Sequence, residues 1–237
     1  MAQKKKTKRP ANENTFYFSV EGETEQWYLE HLRTLVNDEL KRQGAGFRIG
    51  MSIQVQKDPR QIPWPFITRG EHVNVVHVCD YESPVPQQAG MNRLEQFKAI
   101  LDNLSAAAED KNLTYLLGYS NLSFELWMIL HKQPCNGGKI NCKQYVTDLN
   151  TAYASSFPSA KACKKEDAFK DLLRGITLSD VHDAITRATA IQAVNTNQKA
   201  QAQRHRDYEF YTNNPALSIH ERVQDIFTFC ASRGFSV

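Results

Sequence analysis

"HVNVVHVCD", residues 72–80, is a β-branched run that changes from apolar to acidic with no transition. Val73, Val75, Val76 and Val78 make it the best buried strand of the chain, and Asp80 stands where it stops. A strand of this kind belongs inside a mostly parallel sheet covered by helices, where both of its faces are dry.

Working outward, "TFYFSV" (15–20) is aromatic and β-branched and predicts a strand. From Glu25 to Arg42, Tyr28, Leu32, Leu35, Val36 and Leu40 recur at helical spacing, and Gly44 and Gly46 stop the helix. "FRIGMSIQV" (47–55) predicts a second strand, and the three prolines of "DPRQIPWPFITRG" (58–70) predict a loop. After Asp80, "YESPVPQQAG" reads as a turn-rich loop. Residues 92–110 then predict a helix with Leu94, Phe97, Leu101 and Leu104 on its apolar face. "LTYLLGYSN" (113–121) predicts a further strand and "SFELWMILHK" (123–132) an apolar helix.

Beyond about residue 135 strand signals vanish, and helices are expected over 142–154, 164–175, 179–194 and 218–232. "NTNQKAQAQRHRD" (195–207) reads as a loop or a solvated helix extension. The organisation expected is a basic disordered tail (1–14), an α/β core (15–134) and a helical region packed on it (135–237).

Charge narrows the function. Lys4, Lys5, Lys6, Lys8 and Arg9 crowd the start; without them the 29 basic residues fall to 24, against 26 acidic ones. The body is therefore not a basic surface built to coat a polyanion, and the tail is a solubility segment or a weak nucleic-acid arm. No apolar run reaches the length of a membrane span, and the start lacks a signal-peptide core, so a cytoplasmic protein without a membrane partner is expected. Five cysteines suit a reducing compartment. His131, Cys135, Cys142 and Cys163 form one metal-like set, but their spacing is irregular for structural zinc, and free cysteines are the default.

Open parallel sheets bind ligands beyond the carboxyl ends of their strands. The first strand ends at Glu21 in "EGETE", with Glu25 one turn into the helix. The third ends at Asp80, followed by Glu82. The fourth ends at Ser120 and Asn121, with Glu125 one turn further. Three carboxylates in five residues repel one another, and Glu21, Glu25, Asp80 and Glu82 carry enough charge to hold one or two divalent ions such as Mg²⁺ or Mn²⁺. Gly22, without a Cβ, lets the backbone approach metal or phosphate. Each element has a plainer alternative. Glu23 and Glu25 are favourable in a first helical turn, Asp80 and Glu82 suit a polar turn, and Glu125 can pair with a core arginine.

The strand followed by "EGETE" and the strand ending "CDYE" resemble the Toprim domain of topoisomerases, primases and OLD-family nucleases. "EGETEQWYLEHL", "SNLSFELWMILH" and "NPALSIHERVQDIF" together resemble the RloB family (AbiLii-like), Toprim-related bacterial defence proteins often encoded beside an ATPase, RloA. The resemblance implies a Toprim-like, mostly parallel α/β sheet flanked by helices, with an appended C-terminal helical region. It implies metal roles for Glu21, Glu25 and Asp80, and it places the second acid of a D-x-D pattern on Glu82, whose longer side chain is a departure. Ser120, Asn121, Glu125 and His131 match its most distinctive motif, the first three expected near the site; His131, at a helix C-terminus, can equally be a structural cap. Lys164 or Lys165 matches a lysine position able to stabilise charge on a phosphate, or else lies on a solvated helix face.

Three functions compete. The first is a metal-dependent nuclease acting on RNA or DNA, with catalytic Glu21, Asp80, Glu125, Lys164 and Lys165 and with Gly22, Ser120 and Asn121 at the substrate. As the resemblance implies, it would be the effector of an anti-phage or abortive-infection system with an ATPase of the RloA/AbiLi type. The second is a binding or regulatory module working through contact with that ATPase. The third is hydrolysis of a small phosphate ester by the same carboxylates.

Overall fold

The buried β-branched run forms β3 (Val73–Asp80), and the strands around it dictate the layers of the fold. The computed structural model describes residues 14–64, 72–81, 92–109, 112–139, 141–197 and 202–237. β1 (Thr15–Val20), β2 (Gly50–Val55) and β4 (Leu113–Asn121) lie parallel to β3. A two-residue strand, β7 (Ala216–Leu217), adds antiparallel to the end of β4, so the sheet order is β2-β1-β3-β4-β7. The fold is thus α/β with a mostly parallel sheet between helices, as the sequence predicts.

α1 (Glu23–Arg42) joins β1 to β2, and its buried stripe of Glu25, Tyr28, Leu29, Leu32, Val36 and Leu40 follows helical spacing. It packs on the face of the sheet carrying Phe18, Val20, Val76 and Val78. Leu29, Leu32 and Leu40 are at most 1% exposed, and burying each such side chain contributes about 1.5–3 kcal/mol. The helix stops at Gly44, whose φ of +76° suits a residue without a Cβ.

α2 (Arg93–Ala108) joins β3 to β4 and starts with a reciprocal cap: the Asn92 side chain accepts from the Glu95 backbone N–H, and the Glu95 carboxylate accepts from that of Asn92. It covers the opposite face, where Phe97, Leu101 and Leu104 meet Val75, Cys79, Tyr115 and Tyr119. The helices after β1 and after β3 therefore lie on different faces, and the crevice between the carboxyl ends of β1 and β3 is the topological switch point of the sheet.

α3 (Glu125–Leu130), wholly buried, follows β4. α4 (Lys143–Ala152), α5 (Ala160–Cys163), α6 (Glu166–Arg174), α7 (Leu178–Asn197) and α8 (Ile219–Ser232) complete the chain, and they join the apolar cluster on the α1 side. The helix expected over 164–175 is α6, which starts at Glu166; a turn at Lys164 and Lys165 separates it from the short α5. Strands also exist after residue 135, contrary to the sequence reading. Besides β7, β5 (Gln203–His205) and β6 (Tyr208–Phe210) form a hairpin that puts Phe210 against Phe97 and Tyr119. Two or three residues are too few to show a period of two, so tertiary pairing creates these strands. "NTNQKAQAQRHRD" splits accordingly: α7 runs to Asn197 and β5 begins at Gln203, with 198–201 outside the described residues. The tail through residue 13 and nearly all of "YESPVPQQAG", Glu82 included, also lie outside them. No helix among the described residues is long and apolar enough to cross a membrane.

Candidate active site

Adjacent strands bring distant acids together. Val20 pairs with Val78 and Asp80 with Ser120, so the ends of β1, β3 and β4 are level. Glu21 leaves β1 and its carboxylate accepts from the Asp80 backbone N–H at 3.5 Å. Glu25 reaches the same place because residue 25 falls on the buried stripe of α1. It is 5% exposed, Glu21 and Asp80 are each 9% exposed, and Glu125 is 2% exposed. Glu21, Gly22, Glu25 and Asp80 line one cleft of about 390 Å³ together with Glu23, Thr24, Val55, Lys57 and Lys164.

The electrostatics are those of carboxylates short of a counter-charge. Burial raises the Asp80 carboxyl well above its usual range; Lys164 opposes the shift, and the charges of Glu25, Glu125 and Glu21 add to it. Burial likewise raises Glu25, against the hydrogen bonds and the Lys164 charge that lower it. Lys164 answers this field: its ammonium lies 2.9 Å from Glu125 Oε1. Burial works against its charge, but Glu125, Asp80 and Glu25 outweigh that and hold its pKa above the ordinary lysine value.

Three observations bear on whether these residues suit a hard divalent ion. The donors are carboxylate oxygens. Gly22 makes a cradle, since a Cβ there would stand 2.9 Å from Glu25 Oε2. The buried Glu125 Oε2 has no hydrogen-bond partner among the described residues. As placed, no three His, Cys, Asp or Glu side chains among the described residues are gathered closely enough to hold an ion. Lys164 supplies the positive charge there.

The remaining expected residues, among those described, do not line the cleft. Lys165 is exposed, stands just before α6 and is not among the residues lining the cleft. Ser120 is fully buried beside Asp80. Asn121, also fully buried, turns away: its Nδ2 donates to the carbonyls of Tyr211, Thr212 and Asn213 at 3.3, 3.0 and 3.0 Å, tying the end of β4 to the approach to β7. Lys57, two residues beyond β2, was missed by the sequence reading. The same strand-end rule applied to β2 would have found it.

His131 is a structural residue. Its Nδ1 lies 2.9 Å from the Trp127 carbonyl, which can only accept, so Nδ1 carries the proton and Nε2 accepts from the Tyr28 hydroxyl at 3.2 Å. All five cysteines are free. Burial pushes both His131 and the equally buried His77 down to about 4. Each stays neutral in the fold, while the unfolded chain takes up a proton near pH 6.5. Their stabilisation is full above about pH 6.5 and lost as pH falls towards 4. Between pH 7 and 5 the loss is roughly 2 kcal/mol per histidine. Urea unfolding at the two pH values measures it, and His131→Gln should reduce the difference; an unchanged difference would show that His131 does not titrate on unfolding.

A family model described as RloB-like protein matches residues 16–226. No curated protein and no solved structure matches the chain.

Proposed function

We propose, for a chain that belongs to the RloB-like family, a metal-dependent hydrolysis of phosphodiester bonds in RNA or DNA. The observation that carries this reading is the convergence of Glu21, Glu25 and Asp80 at the switch point of the sheet, beside a lysine, in one cleft. Glu21, Glu25 and Asp80 would hold Mg²⁺ or Mn²⁺. When bound, such an ion supplies Lewis acidity towards a phosphoryl oxygen.

The chain's own residues do the rest. Gly22 leaves room for the Glu25 carboxylate. Glu125 anchors Lys164, whose ammonium can balance charge growing on a phosphate. Lys57 adds a second cation to the cleft. On this reading the sheet is a Toprim-type phosphoryl-transfer scaffold, and the protein is an effector of anti-phage or abortive-infection defence working with an ATPase of the RloA/AbiLi type.

The test is incubation of labelled single- and double-stranded RNA and DNA with the protein and Mn²⁺. Cleavage that is abolished by EDTA and reduced about 10²-fold or more in Glu21→Gln is expected. Intact substrates throughout would favour the second reading, a binding module acting through contact with the ATPase. The closed Lys164–Glu125 pair and the absence of a ready-made ligand cluster among the described residues speak for that alternative.

A further inference from the structure

We infer that Lys164 is a displaceable internal cation: in the free protein it holds the place of the metal, and metal binding releases its ammonium from Glu125 to meet the substrate's phosphate. This rests on the metal-site reading above and adds to it a coupling between metal and substrate. Glu125 is 2% exposed and one of its oxygens lies 2.9 Å from Lys164 Nζ, while the other has no hydrogen bond. Such a carboxylate needs a positive neighbour.

Lys164 is not locked in place as Glu125 is. Its side chain is 39% exposed, and it sits on the short turn between α5 and α6 rather than inside a helix. Glu25 and Asp80 also draw its charge inward. Once Asp80 and Glu25 are neutralised by a divalent ion, their part of that inward field is gone, and the ion's like charge repels the ammonium against the hold of Glu125 alone. It then moves towards solvent in the cleft that Lys57 also lines, where both lysines can face a phosphodiester. Metal and phosphate thereby bind cooperatively, and the coupling is reciprocal.

The test titrates the full chain with Mn²⁺ by calorimetry, in wild type, Lys164→Met, Lys164→Arg and Asp80→Asn. A phosphorothioate single-stranded DNA serves as the substrate probe, with and without Mn²⁺. Removing the resident charge should tighten Mn²⁺ binding about tenfold, while Lys164→Arg stays near wild type. In wild type Mn²⁺ should strengthen DNA binding, and in Lys164→Met that gain should shrink. If Lys164→Met fails to fold, Lys164→Gln removes the charge and keeps a hydrogen-bond donor for Glu125. Mn²⁺ binding no tighter without the charge, or a DNA gain that survives it, overturns the inference. If wild-type Mn²⁺ binding is nonetheless lost in Asp80→Asn, the metal site itself stands; if Asp80→Asn binds Mn²⁺ like wild type, the site and the inference fall together.

Discussion

Asp80→Asn should abolish metal-dependent cleavage and at the same time make the metal-free protein more stable. Asp80 is 9% exposed and faces the charges of Glu21, Glu25 and Glu125, with Lys164 as the cation among the residues that act on it. A buried carboxylate among like charges costs the fold free energy, and an amide of the same shape removes the charge without leaving a cavity. The expected gain is about 1–2 kcal/mol, or roughly 2–8 °C in melting temperature for a chain of this size. The expected activity loss is about 10²-fold or more. Melting in EDTA beside a cleavage assay reads both, and an unchanged or lower melting temperature would show that Asp80 carries no stored repulsion. The opposite signs separate a functional acid from an ordinary strand-end turn residue.

Asn121→Asp should be a strongly destabilising isosteric change. The Asn121 Nδ2 donates to three carbonyls in a fully buried setting. An aspartate there aims a negative oxygen at those carbonyls and leaves them without their donor. The cost is about 3–5 kcal/mol, the range for an uncompensated buried charge, and the melting temperature should fall by roughly 10 °C. The first part to loosen should be the chain from Tyr211 through β7, visible as faster amide exchange at Ala216 and Leu217. Wild-type stability in Asn121→Asp would mean that these hydrogen bonds do not hold the end of the sheet. On this account Asn121 is a buckle. Substrate contact, which the sequence reading expected of it, has no support in where its side chain points.

How much was legible follows from what each residue depends on. β1, β3, β4 and α1 could be read because β-branched runs and helical stripes are local signals. Glu25 could have been read further: it falls on the buried stripe of α1, and a first-turn acid placed only for the helix dipole would have no reason to lie there. β5, β6 and β7 were not legible because they exist only through pairing. The Lys164–Glu125 pair joins residues far apart in sequence, so only the packing of α3 against the α5–α6 turn reveals it. Lys164 and Lys165 look interchangeable in sequence, and the break between the two helices separates their roles. The direction of Asn121 was not legible for a related reason: motif position says that a residue matters, and geometry says which way it faces.

The central claim is that the strand-end carboxylates form a metal site. Calorimetric titration of wild type, Glu21→Gln and Asp80→Asn with Mn²⁺ tests it most directly. Saturable binding in wild type that is lost in both variants is the result expected. Binding that persists unchanged in both would place the metal elsewhere and contradict the account.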